Sequence, residues 1–566
     1  MRELHGIGVG RSVASGPVLR MPDPLAEPTT QQRTGDASTE KDQVATALNT
    51  VFADLNRRAQ LVEGTAKDVL TAQALMAKDP GLVDDVAARI DAGSTGERAI
   101  FEAFAAFQAT LIAMGGYMAE RSADLADVAQ RIIAELRGVP APGIPTSDTP
   151  FVLVAHDLAP ADTALLDLEK VVALVTRDGG PTSHTAILAR AKAITAVVGV
   201  ANADDLAEGT IVMVDAASGT VTISPTNEEL AAAETRTEEL QAIAAAPITD
   251  GALADGEKVG LLANLGSPED AAAAVELGAE GVGLFRTEFM FLGASEAPTI
   301  AEQQASYTEV LAAFPDKKVV VRCLDAGADK PLAFLNDEVE ENPALGLRGL
   351  RALRANESIL RDQLRALAGA QEDTTAELWV MAPMVSDVEE TEYFVTVAKE
   401  LGIRVAGVMA EIPSLALMAE QVATASDFVS IGTNDLTQYT MAADRVLGSV
   451  AEYQNPWHPA VLRLIDMIGT AGHAASKPVG VCGEAAADPL LAVVLVGLGA
   501  TSLSMTPSAL AGVRAELIKY TRRDAEKLAA AALRAPTAAE ARSATEAAAA
   551  EFSSSPSSTL NTKEKS

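Results

Sequence analysis

Eight short β-strand patterns, each followed by a helical pattern, recur through the C-terminal half of the sequence. Together they cover roughly 270 residues, which is the length and rhythm of a (β/α)₈ barrel. We therefore expect an α/β chain whose residues 253–533 form a TIM barrel. The predicted strands are Val259–Ala263, Gly281–Leu284, Val319–Leu324, Leu378–Pro383, Val405–Ala410, Phe428–Gly432, Val479–Cys482 and Ser502–Met505.

The N-terminal half shows a different pattern of apolar residues. Apolar residues recur at helical spacing across residues 36–138, which predicts a small helical bundle. Short β-rich runs lie on both sides of it, so the simplest interpretation is one α/β domain, residues 1–35 and 139–225, that carries the bundle as an insertion. Thr226 and Glu229 form a capping box that begins a predicted linker helix over residues 226–252. Residues 534–566 are rich in Ala, Ser, Thr and Glu and predict a disordered tail.

Charge and cysteine content exclude several classes of function. The 566 residues include 44 Lys and Arg against 78 Asp and Glu, a net charge of −34, so nucleic acid and anionic membranes would repel the chain. An anionic substrate would need positive charge concentrated at one site. Two cysteines exclude a disulfide framework and a thiolate zinc site, and no stretch of about 18 apolar residues predicts a membrane span. We expect a soluble, cytoplasmic protein.

The sharpest local signal is the string Asp178-Gly-Gly-Pro-Thr-Ser-His-Thr, followed by Ala-Ile-Leu-Ala-Arg-Ala. A predicted strand ends at Thr176, the Gly-Gly-Pro turn reverses the chain, and a helix begins near Ser183. His184 would then lie at a helix N-terminus, where backbone N–H groups and the helix dipole favour negative charge. This placement suits an imidazole that carries a phosphoryl group. Turn chemistry alone would favour a plainer interpretation, in which the histidine is incidental to an N-capping turn.

A second set of charged residues lies near the predicted carboxyl ends of the barrel strands, where (β/α)₈ enzymes place their active sites. Each of them alone could form a surface ion pair, but five together favour a buried cluster around a charged ligand. Two carboxylates can share a Mg²⁺ ion, and guanidinium groups match the geometry of phosphate. The five residues are Arg286, Arg322, Glu411, Asp435 and Arg445.

These motifs resemble enzyme I of the phosphoenolpyruvate–sugar phosphotransferase system, from about residue 3 to about residue 530. The string GGPTSHTAILAR is similar to that family's phosphohistidine signature, which implies that His184 is the phosphorylated nucleophile. The resemblance also implies that Thr176 helps to hold the imidazole. Pro181 stands where many members carry Arg, a difference in local charge that leaves the nucleophile in place.

The resemblance extends to the family's phosphoenolpyruvate site. Gly283-Leu-Phe-Arg-Thr-Glu-Phe and Ser430-Ile-Gly-Thr-Asn-Asp are similar to its signature segments. Asp325-Ala-Gly-Ala-Asp-Lys differs from the usual Asp-x-Gly-Gly-Asp-Lys at Ala328 and keeps the lysine. The resemblance implies that Glu411 and Asp435 hold Mg²⁺. The substrate-binding residues that it implies are Arg286, Arg322, Lys330, Asn434, Asp435 and Arg445.

Cys482, in Val481-Cys-Gly-Glu, is open to two interpretations. A free cysteine in a strand is usually a small buried hydrophobe, and we keep that interpretation for Cys323. For Cys482 the resemblance implies a proton donor that turns enolpyruvate into pyruvate, and a thiol with a pKa near neutrality could serve as this acid. We give no catalytic role to the other histidines, which are His5, His156, His458 and His473.

The implied reaction transfers the phosphoryl group of phosphoenolpyruvate to His184, releases pyruvate, and then phosphorylates the small histidine-containing phosphocarrier protein. In this interpretation the helical bundle docks the phosphocarrier, the linker helix is a hinge, and the barrels pair as a homodimer. The main rivals are pyruvate phosphate dikinase and phosphoenolpyruvate synthase, but residues 1–250 leave no room for their ATP-grasp domain. A non-catalytic phosphoenolpyruvate sensor is disfavoured by the intact nucleophile, thiol and carboxylates. A nitrogen-branch paralogue would usually carry an N-terminal sensory domain, which we do not expect here.

Overall fold

A computed structural model describes residues 2–554 apart from 11, 61–64, 115, 146, 159–165, 180–183, 192–193, 292–293, 295, 327–331, 333, 336–339 and 446. The chain divides into two compact units, with the boundary between Glu239 and Leu240. No helix in the described ranges is both long and apolar enough to cross a membrane.

The first unit is built on one eight-stranded mixed sheet with the strand order β1-β8-β7-β3-β4-β5-β6-β2. Strands β3, β4, β5 and β6 are parallel neighbours, and the other pairings are antiparallel. Both faces of the sheet carry buried Val, Leu and Ala side chains, which form two apolar clusters. The strands are β1 (Glu3–His5), β2 (Ile7–Val9), β3 (Val13–Arg20), β4 (Phe151–Ala155), β5 (Val171–Thr176), β6 (Thr195–Val198), β7 (Ile211–Asp215) and β8 (Thr220–Ile223).

Five helices lie in sequence between β3 and β4, although these two strands pair directly with each other. The helices therefore form an insertion with a core of its own, separate from the sheet clusters. Fully buried aliphatic side chains from all five helices meet in that core, including Leu55, Leu70, Ile90, Ile100 and Leu125. The helices are Ala37–Ala59, Thr65–Met76, Pro80–Asp91, Gly96–Met114 and Gly116–Arg137.

Two further helices of the first half bear on function. His184–Ala191 is the next described helix after β5, which ends at Thr176, and it begins at His184. Asn227–Ala244 begins at the predicted capping box: Glu229 N–H donates to Thr226 Oγ1 over 3.3 Å, and Thr226 N–H donates to the Glu229 carboxylate over 2.7 Å. This second helix buries no residue. It spans the boundary between the units.

The second unit contains a closed barrel of eight parallel strands, which confirms the predicted fold class. Closure comes from the pairing of the last strand with the first, for example Ser502 with Gly260. Strand order follows sequence order around the barrel. The strands are β9 (Gly260–Leu265), β10 (Val282–Phe285), β11 (Lys318–Arg322), β12 (Glu377–Ala382), β13 (Val405–Ala410), β14 (Val429–Gly432), β15 (Val479–Cys482) and β16 (Ser502–Met505).

Helices surround the strands, and their apolar faces form one large core with the outer faces of the barrel. A smaller apolar cluster, which includes Met381, Met409, Phe428 and Cys482, occupies part of the barrel interior. The helices are Asp270–Glu276, Ile300–Ala312, Leu350–Ala355, Glu357–Asp373, Val388–Glu400, Pro413–Leu417, Ala419–Ala425, Thr433–Met441, Pro459–Ala475, Glu484–Ala487, Pro489–Gly497, Leu510–Leu517, Arg522–Arg534 and Ala538–Ser554.

The last of these helices corrects the expectation of a disordered tail over residues 534–566. Ala538–Ser554 packs against Arg522–Arg534. Ala541 and Thr545 are fully buried, and the Phe552 ring lies edge-on to Tyr520. Alanine is small and a strong helix former, so an alanine-rich segment can pack closely on a neighbouring helix without bulky apolar residues. Residues 555–566 lie outside the described part of the chain.

Candidate active site

The carboxyl ends of the barrel strands bring most of the predicted barrel residues to one mouth. Arg286 follows β10, Arg322 ends β11, Glu411 follows β13, and Cys482 ends β15. Asn434, Asp435 and Arg445 lie on the helix after β14 or just beyond it. Lys330 lies outside the described residues.

An alternating chain of carboxylates and guanidinium groups runs across this mouth. Arg322 contacts Glu288 at 2.8 Å and Asp325 at 3.2 Å. Asp325 also pairs with Arg348 at 3.0 Å, and Arg348 reaches Asp435 at 3.0 Å. This chain of charged groups ends at Arg445, which contacts the second oxygen of Asp435 at 3.0 Å. These pairs hold the charged groups in fixed positions, since each guanidinium or carboxylate in the middle of the chain has two partners.

Arg322 is buried, yet it keeps its charge. Burial would lower the pKa of this guanidinium, but the negative charges of Glu288 and Asp325 outweigh that effect and raise it. Its backbone carbonyl accepts a hydrogen bond from Thr287 Oγ1 at 3.1 Å, and Gln363 donates to the same Thr287 oxygen at 3.2 Å. Thr287, itself held by Gln363, thereby fixes the end of β11, from which the Arg322 guanidinium reaches the mouth of the barrel.

Arg286 differs from the other three arginines of the mouth, because it forms no ion pair with any described residue. Its side chain is exposed, while the surrounding protein and the positive charge of Arg322 lower its pKa. A cation that lacks a carboxylate partner and lies near a second cation favours the binding of an anion.

Glu411 and Asp435 form the acidic part of the mouth. Glu411 is buried, and one of its oxygens accepts a hydrogen bond from the Met384 N–H at 2.7 Å. Burial, followed by the negative charges of Asp435 and Asp325, raises the pKa of Glu411 to about 8. Within the described ranges, no three or more His, Cys, Asp or Glu side chains are grouped as a metal site. Two mutually repelling carboxylates still fit a small divalent cation that takes its other ligands from substrate oxygens and water.

This arrangement predicts a pH-dependent affinity for Mg²⁺. Glu411 must lose its proton before it can bind a cation, and its raised pKa keeps that proton bound at neutral pH. We expect Mg²⁺ affinity to rise from about pH 7 to about pH 9, by up to about tenfold per pH unit. Calorimetric titration in buffers of different ionisation enthalpy should detect the released proton. A Glu411→Gln variant should lose the pH dependence, whereas a pH-independent affinity of the unmodified chain would contradict the prediction.

Cys482 lies just inside the mouth and is 2 % exposed. Its thiol donates to the Ile431 carbonyl at 3.4 Å, and the Ser430 hydroxyl donates to its sulfur at 3.7 Å. Burial raises the pKa of Cys482 to about 11, although the Ser430 hydrogen bond acts in the opposite direction. The pKa of Cys482 therefore lies well above neutrality. The thiol remains protonated at neutral pH, which is the state that a proton donor requires.

The predicted nucleophile lies in the first unit, at the first residue of a helix. Thr176 is buried, and its hydroxyl donates to the Asp178 carbonyl at 2.8 Å. This bond stabilises the turn that leaves β5. Gly180, Pro181, Thr182 and Ser183 lie outside the described residues, and at position 184 only the backbone is described.

Comparisons with known proteins match both halves of the chain. Family models of PEP-utilising enzymes match in three parts: an N-terminal domain over residues 5–121, a mobile domain over residues 148–219, and a PEP-binding domain over residues 241–522. A phosphoenolpyruvate-protein phosphotransferase of Streptomyces coelicolor is 52% identical over 96% of this chain and 98% of its own length. The chain belongs to the phosphoenolpyruvate-protein phosphotransferase family.

Other relatives of this family are more distant but also align along most of the chain. A phosphoenolpyruvate-protein phosphotransferase of Geobacillus stearothermophilus is 37% identical over 93% of this chain and 95% of its own. A multiphosphoryl transfer protein of Rhodobacter capsulatus is 38% identical over 96% of this chain and 67% of its own. These matches confirm the resemblance to enzyme I, the α/β fold class, and the prediction that the chain is an enzyme acting at the first step of the phosphotransferase system.

The sequence motifs did not identify Arg348, a central residue of the barrel mouth. Arg348 is 4% exposed and joins Asp325 to Asp435, so it holds the two halves of the charged chain together. Tyr439 accepts a further hydrogen bond from it at 3.2 Å. Arg348 lies between β11 and β12, far in sequence from any strand end, so strand-end reasoning could not find it. Asp325 and Glu288 lie inside two of the segments that resemble the family's signature segments, so the sequence could have identified these two residues.

Replacement of Arg348 should cost more than replacement of its exposed neighbour Arg351. An Arg348→Met variant leaves Asp325 and Asp435 with a buried charge and one partner fewer, which typically costs about 3–5 kcal/mol. Arg351→Met removes only an exposed arginine, 3.7 Å from Glu390, and should cost less than about 1 kcal/mol. Urea unfolding of the two variants measures this difference. Equal stabilities would show that the central arginine does not hold the charged chain together.

Proposed function

We propose that the chain transfers the phosphoryl group of phosphoenolpyruvate to His184 and then to the histidine-containing phosphocarrier protein, with release of pyruvate. One observation carries the proposal: four arginines, four carboxylates and a protonated thiol converge at the mouth of a barrel whose strands end there. This combination matches a small, highly charged phosphate ester whose product must be protonated. The family membership of the chain supports the same reaction.

Phosphoenolpyruvate carries a phosphate and a carboxylate, and the mouth offers donors for both. Arg286, which has no ion-pair partner among the described residues, and Arg322 would bind the phosphate with paired hydrogen bonds. Arg445 and Asn434 would bind the rest of the substrate, with Lys330 as a further cation. The existing ion pairs fix the guanidinium groups before the substrate arrives, so little reorganisation is needed on binding.

The carboxylates Glu411 and Asp435 would hold Mg²⁺. When bound, this ion neutralises negative charge on the substrate and favours the ionised form of Glu411. Asp435 would keep Arg348 and Arg445 as its neighbours. The side chains themselves provide positioning and charge, on which phosphoryl transfer mainly depends.

The chemistry requires two transfers. A nitrogen of His184 attacks the phosphorus in line, the P–N bond forms, and the P–O bond to the enolate of pyruvate breaks. The Cys482 thiol then gives its proton to the methylene carbon, which yields pyruvate and leaves a thiolate. A raised thiol pKa does not prevent this step, because the enolate carbon is a much stronger base than a thiolate. Thr176 would support the nucleophile by fixing the turn before it.

Transfer of the phosphoryl group from His184 to the phosphocarrier needs a surface that binds this partner and movement of His184 between donor and acceptor. The inserted five-helix bundle exposes apolar side chains such as Leu75, Phe107 and Ile112, which support a docking face for the phosphocarrier. The exposed helix Asn227–Ala244, which packs no side chain into a core, would serve as the hinge that lets His184 serve donor and acceptor in turn. We also propose a homodimer through the barrel, where Leu345 and Leu417 are exposed, and a cytoplasmic location.

The most direct test of the function is pyruvate release that depends on the phosphocarrier. Without that acceptor, the enzyme should release at most one pyruvate per chain, whereas addition of the acceptor should give continuous release. Pyruvate formation that required AMP and pyrophosphate would instead support a pyruvate phosphate dikinase. Sedimentation with and without Mg²⁺ and phosphoenolpyruvate measures the proposed dimer.

A further inference from the structure

A small cavity lies inside the barrel, at the end opposite the active-site mouth. It is lined by residues at or next to the start of three strands, Lys318, Pro478 and Ser502, and by Ser430 and Gly480 from the barrel interior. Its volume of about 10 Å³ is close to the lower limit for one water molecule. Such a space holds water when two or more polar groups face it, and here an ammonium group and several hydroxyl groups do.

Lys318 is the one ionisable side chain among the described residues that line this cavity. Its ammonium group donates to Ser502 Oγ at 3.3 Å and lies 4.6 Å from the centre of the Trp379 ring. Burial lowers the pKa of Lys318 to about 8, although the negative charge of Glu377 on the neighbouring strand acts against this shift. The side chain is half-buried, so it can exchange protons with solvent near neutral pH.

Polar groups continue from Lys318 to the proton donor of the active site. Ser502 and Ser430 are both about 5 % exposed or less, and Ser430 donates to the Cys482 sulfur at 3.7 Å. Gly480 lies between the two serines. A Cβ atom at this glycine would lie 3.1 Å from Ser502 Oγ and 3.9 Å from Ser430 Oγ. The missing side chain therefore leaves open the space that borders both hydroxyl groups.

Cys482 needs such a connection once in every catalytic cycle. The proposed reaction leaves it as a buried thiolate, and burial disfavours that charge. The guanidinium groups at the mouth hold their protons too tightly to return one at neutral pH, and a Glu411 that holds Mg²⁺ has no proton to give.

We propose that Lys318, Ser502 and Ser430, with one water molecule in the cavity, return a proton to Cys482 through the core of the barrel. This inference rests on the proposed function. The Ser430 O–H bond breaks as the Cys482 S–H bond forms, Ser430 takes a proton from the water, and the water takes one from Ser502. Lys318 then replaces the proton that Ser502 has given up. Its ammonium group loses one proton and regains one from solvent. The net change is one proton moved from solvent to sulfur, with no oxidation or reduction.

The test compares Lys318→Met with Lys317→Met, an exposed neighbour on the same chain segment. The thiol is protonated before the first turnover, so the first pyruvate formed per chain should appear at the unmodified rate in both variants. Later turnovers, driven by added phosphocarrier protein, should slow by at least about tenfold in Lys318→Met alone. Gly480→Ala, which fills the space between the serines, should show the same pattern.

The pH profile separates a proton relay from a structural role. With Mg²⁺ saturating at every pH, turnover of the unmodified enzyme should fall as pH rises through about 8, because Lys318 then loses its proton. Lys318→Arg keeps the positive charge but holds its proton too tightly to return one, so it should slow the later turnovers as Lys318→Met does. The inference is overturned if Lys318→Met turns over like the unmodified chain, or if its first and later turnovers slow equally. Failure of the proposed function would look different, since the unmodified chain would then place no phosphoryl group on His184.

Discussion

We expect a His184→Ala variant to release no pyruvate above the uncatalysed rate, even with saturating phosphoenolpyruvate, Mg²⁺ and phosphocarrier protein. Without the imidazole no P–N bond can form, so the enolate has no route to leave. A lactate dehydrogenase coupled assay measures the release. The expected effect is complete loss, because covalent catalysis through this residue is the only path in the proposed reaction.

Two controls separate this loss from misfolding. His473 is exposed on the second unit and has no proposed role, so His473→Ala should be fully active. The residues proposed to bind phosphoenolpyruvate all lie beyond Leu240, in the other compact unit, so His184→Ala should bind this substrate with unchanged affinity in calorimetry. Retention of acid-labile phosphate by His184→Ala would refute the assignment.

Replacement of Cys482 by alanine should have the second-largest effect, and of a different kind. Loss of a general acid typically slows a reaction by about 10²- to 10⁴-fold, and we expect pyruvate formation on the enzyme to fall within this range. Phosphorylation of His184 should persist, since the thiol acts after the P–O bond breaks. Enolpyruvate would then leave the site and take its proton from solvent. With phosphoenolpyruvate that carries tritium stereospecifically at C3, the chiral methyl group formed in deuterated water should therefore lose its stereochemical bias.

Cys323 provides the matched control for this experiment. It is fully buried, as the sequence interpretation as a core residue predicted, and it lies one residue beyond Arg322. Cys323→Ala should lower stability, since a buried side chain shrinks, but leave the phosphoryl transfer and the stereochemistry of protonation intact. If both cysteine variants lost activity equally, the proton-donor role of Cys482 would be contradicted.

The barrel was predictable because eight apolar strands alternate with amphipathic helices, a pattern that few folds satisfy. The strand ends also located Arg286, Arg322, Glu411 and Cys482, because parallel strands bring their carboxyl ends together. Arg348 was not predictable in this way, because only the tertiary path between β11 and β12 brings its guanidinium between two carboxylates.

Two further properties depended on packing that composition does not encode. The helix Ala538–Ser554 was missed because alanine and threonine carry little apolar signal, yet Ala541 and Thr545 are buried against a neighbouring helix. The raised pKa of Cys482 follows from its burial, which the sequence did not reveal. In both cases the property follows from burial in the folded protein and not from residue type alone.

The most direct measurement is the transfer of label from radiolabelled phosphoenolpyruvate to the enzyme, followed by identification of the labelled peptide. We predict a single label that is labile in acid and stable in base, located on His184, and discharged by added phosphocarrier protein. A label on any other residue, or one that the phosphocarrier cannot remove, would contradict the proposed reaction.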